Sequence, residues 1–296
     1  MQTLRLLALL LALTSLGCAA EPACVFCGEP TEASLTLEGT EWRVSRLLFQ
    51  PATPLARGER PAAHGLDVDG FDAGDGVFEE SSTCQDSAPD LVSTLDPRIG
   101  GVDNSGQELI AAGQQLLGDG YEFQRALDAT LDEGRLAIGL RFGEADPDGR
   151  IPVELFALEV DPSALDADRL PRVTGEGEVL ARATLQLASG GASGALTLSG
   201  LPADEGAVRL LPLRELEVRA IGISAPDAEG RARGELGGAL SVEALTAAGV
   251  RATGMEGIED TLRGIFTSFA DLDPSASDPE TCTRVSVGLG LELVRL

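Results

Sequence analysis

Closely spaced aspartates and glycines form the segment of this chain best suited to binding a metal ion. Residues 67–76 read DVDGFDAGDG, which places carboxylates at Asp67, Asp69, Asp72 and Asp75. Calcium takes about six to eight oxygen ligands, and glycines allow the tight backbone turns that bring such oxygens together. The spacing departs from an EF-hand loop, because counting from Asp67 the glycine stands at position four instead of position six. A calcium site and a solvated acidic loop are therefore both open interpretations.

Enzymatic chemistry has weaker support. A Ser-His-Asp triad would have to use His64, the only histidine, and no Gly-x-Ser-x-Gly segment precedes a predicted helix. No phosphate-binding loop or dinucleotide fingerprint occurs in the sequence. The 48 acidic residues leave a carboxylate-dependent hydrolase as an alternative, but only 4% of residues are aromatic, and sugar sites usually stack sugars on aromatic rings. We expect no catalytic residues and a non-catalytic protein.

The N-terminus has the pattern of an export signal. Arg5 precedes an apolar run at residues 6–13, which is too short to span a bilayer and is typical of the hydrophobic region of a signal peptide. The run leads into Leu-Thr-Ser-Leu-Gly-Cys, which resembles the lipobox of bacterial lipoproteins. The pattern therefore predicts an exported, lipid-modified protein.

The lipobox resemblance implies a specific modification of Cys18. A diacylglyceryl group would be attached to its thiol, residues 1–17 would be removed by cleavage after Gly17, and the new amine would be acylated with palmitate. Two or three acyl chains make a stable membrane anchor, whereas one chain holds a protein only marginally. Alanine at position 19 favours the outer membrane over the inner membrane by analogy with enterobacterial sorting. The alternative is an ordinary secretory signal cut after Ala20.

Lipid on Cys18 leaves an even number of cysteines in an oxidising compartment. We expect two disulfides, Cys24 with Cys27 and Cys84 with Cys282. The second bridge would close a very long loop, for which the chain-entropy model gives about 5 kcal/mol before strain is subtracted. A redox pair or half of a zinc site is the alternative for the Cys-Val-Phe-Cys segment, although no second CxxC follows it.

The charge of the chain excludes several classes of partner. Every basic residue is an arginine, since the sequence contains no lysine, and 22 basic against 48 acidic residues give a net charge of -26. Such a field repels phosphate backbones and anionic lipid headgroups, so we expect no nucleic-acid binding and membrane contact only through the lipid. The partners that remain are cations, basic or other cell-envelope proteins, and neutral glycans. No cofactor other than calcium is indicated.

The sequence outlines one domain behind a tether. Residues 18–34 are small, polar and proline-containing, which is typical of a flexible spacer. Residues 35–296 are expected to form a single β-rich domain, with a long acidic loop at about residues 51–97. Hydrophobic residues make up 43% of the chain, which is enough for a core and argues against a disordered acidic protein.

Periodicity predicts the elements of that domain. Helical spacing occurs near residues 105–117, 123–133 and 253–269. The second and third of these segments carry an apolar stripe. The third begins with a capping box formed by Thr253 and Glu256. Alternation and turn residues predict hairpins over residues 136–160, 179–198 and 216–240. Small residues alternate with apolar ones at the C-terminal end, which predicts that another sheet or a loop lies close over Ser286, Gly288 and Gly290. The fold class is mainly β with a few inserted helices, as an antiparallel β-sandwich or a curled barrel.

Several short segments together resemble a known group of proteins. Besides the lipobox, these are Gly-Leu-Asp-Val-Asp-Gly at residues 65–70, Gly-Val-Asp-Asn at residues 101–104, Gly-Gly-Ala-Leu at residues 237–240 and Ser-Val-Gly-Leu-Gly after Cys282. The combination is similar to uncharacterised surface lipoproteins of myxobacterial type and covers most of the chain. The resemblance implies export and the fold plan, and it carries no activity.

Overall fold

The computed structural model describes residues 29–49, 62–69, 91–95, 101–117, 122–204, 207–209, 211–277 and 281–296. Within them the strands are β1 (Glu41–Leu48), β2 (Ala62–Ala63), β3 (Val92–Ser93), β4 (Ile138–Phe142), β5 (Arg150–Leu165), β6 (Pro171–Ala188), β7 (Gly191–Ser199), β8 (Glu217–Ser224), β9 (Ala232–Ser241), β10 (Leu272–Pro274) and β11 (Cys282–Arg295). The α-helices are α1 (Glu32–Leu35), α2 (Gly106–Leu117), α3 (Phe123–Asp132), α4 (Val242–Thr253) and α5 (Glu259–Thr267).

Eight of these strands close into an antiparallel barrel. Their order is β1, β4, β5, β6, β7, β8, β9 and β11, and pairing of β1 with β11 closes the ring. β10 pairs with the first part of β11, and β2 forms a separate parallel pair with β3. The prediction of a mainly β fold with inserted helices is confirmed, and the curled barrel is the architecture that forms.

Apolar side chains on alternate residues fill the barrel. On β11 the five apolar inward residues are at most 3% exposed, as the alternation predicts: Val285, Val287, Leu289, Leu291 and Leu293. An eight-stranded barrel is just wide enough for side chains to fill it. The single tryptophan, Trp42, is part of this core, and its indole N–H donates to the hydroxyl of Thr40 at 2.7 Å.

The predicted hairpins are present. β4 and β5 are joined by the turn at residues 146–149, where the Asp146 carboxylate accepts the backbone N–H groups of Asp148 (2.9 Å) and Arg150 (2.8 Å). β6 turns into β7 at residues 189–190, and β8 pairs with β9. Turn residues and alternation were sufficient to place these strands, because each pairing is local in sequence.

The helices follow the predicted periodicity only in part, because α1 and α4 were not predicted. α2 and α3 lie where they were predicted, but Thr253 does not cap a helix, because it is the last residue of α4. Ser241 begins that helix by accepting the Ala244 N–H at 3.1 Å, and Gly254 ends it in the left-handed conformation (φ 64°). α5 then begins at Glu259. Among the described residues, no helix combines the length and the apolar composition that crossing a membrane requires.

The hairpin of β5 and β6 is longer than its neighbours and bends back onto β1. Its strands pair with several bulges, which bend a sheet. The turn residue Asp166 reaches Arg43 on the outer face of β1, with 3.0 Å between its Oδ2 and the arginine Nη1. The Arg43 side chain is only 3% exposed, and this burial lowers its pKa while Asp166 opposes the shift. One ion pair therefore fastens the hairpin to the barrel wall.

Asp166→Asn is expected to destabilise the protein by about 2 kcal/mol. Asparagine still accepts the turn N–H groups of Asp168 and Leu170, but it leaves the buried Arg43 with only the weaker attraction of Asp168. The cost lies below that of a fully buried pair because the Asp166 side chain is 32% exposed. Urea unfolding measures the change, with Asp148→Asn, in the exposed turn between β4 and β5, as the control. Equal midpoints for both variants would contradict the role given to this pair.

Candidate functional site

A layer of chain covers the outer face of β9 and β11. It consists of residues 62–69, 91–95 and 101–104, which we call the cover. A Cβ atom on Gly288 would overlap the backbone carbonyl oxygen of His64, and one on Gly290 would lie 2.6 Å from the His64 imidazole. On β9, a Cβ on Gly237 would lie 2.6 Å from the Val68 side chain. The prediction that a loop lies close over the small residues of β11 is confirmed.

Apolar side chains hold the cover together and against the barrel. Leu66 is 1% exposed and packs with Ala188 and Ala220 of the barrel wall. Within the cover, Leu91 and Val102 pair their backbones and cluster with Ala63. The cover is therefore a folded layer that makes the same kinds of contact as the core.

A buried carboxylate ties two parts of the cover to β9. The Glu235 side chain is fully buried on the outer face of the strand. It accepts hydrogen bonds from the hydroxyl of Ser93 (2.8 Å), the hydroxyl of Thr94 (2.5 Å) and the backbone N–H of Thr94 (3.2 Å). Nδ1 of His64 lies 2.8 Å from the Thr94 hydroxyl and 3.5 Å from Glu235 Oε1. Because burial of a charge is costly unless it is well hydrogen-bonded, this network fixes the position of the cover.

A pocket of about 320 Å³ opens beside this network. His64 and Thr94 line one side of it, Leu291 and Glu292 of β11 contribute another part, and Arg233 of β9 adds a positive charge. The pocket therefore combines apolar walls with groups of both charges, next to a histidine that is held by a buried glutamate.

A second buried carboxylate joins β11 to the residue before α2. Asp271 accepts the hydroxyl of Ser105 (2.6 Å), and from Ser286 both the hydroxyl (2.5 Å) and the backbone N–H (2.7 Å). Burial raises the pKa of Asp271, and the hydrogen bonds from the two serines oppose that rise. Asp271 and Glu235 thus have the same kind of surroundings, a carboxylate enclosed by hydroxyl and backbone donors.

Three further carboxylates converge at the edge of the cover. One oxygen from each of Asp67, Asp69 and Asp103 lies within 4.8 Å of the others. Asp103 Oδ2 also accepts the backbone N–H of Val68 at 2.8 Å. This is a set of oxygen ligands of the type that calcium and magnesium prefer.

The surroundings of Asp103 disfavour its charged form. Loss of solvent and the neighbouring charge of Asp69 raise its pKa well above the ordinary aspartate value, with smaller contributions from Asp67 and Asp271, and the Val68 N–H opposes the rise. Each charge named in this balance is negative. A bound divalent cation would reverse the effect by stabilising all three carboxylates.

The raised pKa gives a pH dependence that Asp103→Asn would test. In calcium-free buffer the folded protein holds a proton on Asp103 at a pH where the unfolded chain has lost it, so this group lowers stability as the pH rises above about 3.9. Asparagine keeps the acceptor for Val68 and has no charge. We therefore expect the variant to be more stable than the original protein at pH 7, with a difference that shrinks towards pH 4. Urea midpoints across this range measure it, and a difference independent of pH would contradict it.

The structure brings together part of the predicted calcium set. Asp67 and Asp69 converge as the spacing suggested, whereas Asp72 and Asp75 lie outside the described residues. Asp103 was not predicted to take part. It lies in the Gly-Val-Asp-Asn segment singled out in the sequence, but only the fold brings that segment to Asp67.

The predicted cysteine sites fall mostly outside the described residues, as Cys18, Cys24, Cys27 and Cys84 all do. Cys282 opens β11 and is 7% exposed. Its pairing with Cys84 stays a prediction.

No protein-family model matches this chain, and comparison with curated proteins and with solved structures finds no significant match.

Proposed function

We propose that this chain is a lipid-anchored protein of the bacterial cell envelope, at the outer rather than the inner membrane, whose barrel serves as a non-catalytic binding or structural module. The observation that carries the proposal is the lipobox ending in Cys18, followed after a short spacer by a closed barrel. Because side chains fill the interior of the barrel, a partner would bind on its outer surface. An envelope protein or a glycan is the partner suited to an acidic exported domain.

The roles of His64 and Glu235 support a non-catalytic module. A hydrolase with a histidine base would have to use His64, which is held by Thr94 and Glu235 within the cover. Glu235 and Asp271 are enclosed by donors that fasten chain segments together. The contacts of these groups are those of a structural network.

Replacing the lipobox cysteine tests the anchor. Cys18→Ser removes the thiol that would carry diacylglycerol, so we expect the variant to move from the membrane fraction to the soluble fraction. Fractionation of cells that produce each form measures this, and Ala19→Ser, which leaves the thiol in place, is the matched control. Membrane association of Cys18→Ser would contradict the proposal.

A calcium-stabilised adhesion or scaffold module is the second candidate, and the convergence of Asp67, Asp69 and Asp103 favours it. Extracellular sites bind calcium at about 10⁻⁴–10⁻³ M, so a site with few protein ligands could fill outside the cell. Calcium would then link the segment at Asp67 to the segment at Asp103 and strengthen the cover.

A titration of the calcium-free protein tests this candidate. About 5 mM calcium, some ten times the dissociation constant of a site in the middle of that range, is expected to raise the melting temperature and to slow proteolysis of the cover. Asp103→Asn is expected to abolish both effects, and Asp148→Asn, a neutralisation in an exposed turn, is expected to keep them. Calcium effects that survive in Asp103→Asn, or that are missing from the unaltered protein, would rule the site out.

A further inference from the structure

The first described residues dock onto one end of the barrel. The Thr31 hydroxyl donates to the backbone carbonyl of Ser189 in the turn between β6 and β7 (3.2 Å). Pro30 packs against the turn between β4 and β5, since a Cβ on Gly149 would lie 3.4 Å from its ring. The turn between β8 and β9 is at the same end, where the Ala225 N–H donates to Gly190 at 2.7 Å. We call residues 29–33 with the turns at 143–149, 189–190 and 225–231 the tether end.

The opposite end is formed by other connections. The segment between β7 and β8 packs beside the C-terminal half of α4, and Val208, Leu213 and Ala248 line a common pocket there. Met255, which is 49% exposed, follows α4 directly. Strands of about eight to ten residues separate the two ends by about 25 Å after allowance for strand tilt.

A short chain connects Cys18 to the tether end. The thirteen residues from Cys18 to Thr31 can reach at most about 45 Å when fully extended. The lipid would enter the membrane at Cys18, and the fold fixes Thr31 at one end of the barrel. The tether end can therefore lie at most about 45 Å from the membrane, whereas the far end can extend about 25 Å beyond that.

The exposed charges at the tether end are strongly unbalanced. Seven exposed acidic side chains belong to it: Glu29, Glu32, Glu144, Asp146, Asp148, Asp227 and Glu229. Arg231 is the one exposed basic side chain in the same residues. The sum over these residues is -6, or -4 with the neighbouring exposed Arg150 and Arg295. An anionic lipid surface repels such a charge within a Debye length, about 8 Å at physiological salt.

We propose, resting on the lipid anchor above, that the barrel stands with its tether end towards the membrane and is held off anionic headgroups by the acidic turns at that end. The far end and the barrel wall that bears the cover then stay open to partners. The tether end therefore faces a lipid surface but does not adsorb to it.

Energy transfer to a labelled membrane tests the orientation. The lipidated protein, carrying a fluorophore at Asp148→Cys or at Met255→Cys, is reconstituted into vesicles with acceptor dye on the lipid headgroups. Transfer from position 148 is expected to exceed transfer from position 255. Equal transfer, or stronger transfer from position 255, would overturn the orientation. Protein that does not enter the vesicles at all would overturn the anchor, which separates the two failures.

Lipid charge tests the stand-off. With the fluorophore at position 148, about 30% anionic lipid at low salt is expected to lower the transfer, and about 1 M salt to restore it. The labelled protein lacks the Asp148 charge, so Glu144→Arg with Glu229→Arg changes the sum over the tether-end residues from -5 to -1 and is expected to abolish most of that drop. Glu178→Arg, an exposed charge reversal on β6, is the control and is expected to keep it. Transfer that does not respond to lipid charge would overturn the stand-off.

Discussion

Gly288→Ala is expected to release the cover from the barrel while the barrel stays folded. The added methyl group would overlap the carbonyl oxygen of His64 and crowd the Cα atom of Gly65, and both are backbone atoms that no rotamer change can move aside. Gly288 lies in a regular strand paired with Gly237, and in such a backbone conformation alanine is less costly than glycine. The clash therefore falls on the cover and leaves the ladder of β9 and β11 intact.

Hydrogen exchange of the Gly288→Ala variant distinguishes the stability of the cover from that of the barrel. Backbone N–H groups of the cover, such as those of Val68 and Thr94, are expected to lose protection by at least about 100-fold, which corresponds to about 3 kcal/mol of local stability, while the barrel strands keep theirs. Gly290→Ala is the matched control on the same face. The three atoms nearest to its methyl group would all belong to the His64 side chain, which can adjust more readily than backbone, so a smaller effect is expected. Unchanged protection in Gly288→Ala would show that the cover does not pack as described.

Glu235→Ala is expected to cost about 3–5 kcal/mol in cover stability. The change removes the acceptor for the Ser93 hydroxyl and for both donors of Thr94, and each buried polar group that loses its partner costs about 1–3 kcal/mol. Glu235→Gln keeps one acceptor oxygen in a side chain of the same shape, so about half of that loss is expected.

Exchange at the Thr94 N–H reports on Glu235 directly, because that group donates to the carboxylate. We expect its exchange to accelerate by about two to three orders of magnitude in Glu235→Ala, and clearly less in Glu235→Gln. Glu292→Ala, on the outer face of the neighbouring strand, is the control. If all three variants behaved alike, the carboxylate of Glu235 would have no special part in holding the cover.

Pairings between strands that are neighbours in sequence were predicted correctly, whereas the pairing that closes the barrel was not. Hairpins such as β4 with β5 were placed correctly, because their pairing is determined by alternation and by the turn at Asp146. Barrel and sandwich could not be distinguished, since closure depends on pairing of β1 with β11, as between Val44 and Leu293. No periodicity within either strand specifies a partner so distant in sequence.

The missed helix α4 has a different cause. It follows β9 without a break, and the predicted hairpin ends at residue 240, directly before the cap at Ser241. Thr253 was then assigned to the start of a helix although it stands at the end of one. The physical signal was present, since Ser241 and Gly254 are typical cap residues at the two ends.

In the candidate site, too, residues close in sequence were predicted and residues brought together by the fold were not. The aspartate spacing identified Asp67 and Asp69, because residues so close in sequence stay close in space. Asp103 and Glu235 were missed, because an acidic residue in a loop or on the outer face of a strand is indistinguishable from a solvated one until the cover is in place. The small residues Gly288 and Gly290 were the one sequence signal that predicted the cover itself.

The N-terminal peptide of protein extracted from membranes tests the account most directly. Lipidation at the lipobox requires that the mature chain begin at Cys18 with diacylglyceryl on the thiol and an acyl group on the amine. Mass spectrometry after proteolysis is expected to find that peptide and no unmodified form. A chain that begins at Glu21 with a free amine, the product of an ordinary signal cut after Ala20, would contradict the lipid anchor and the orientation that follows from it.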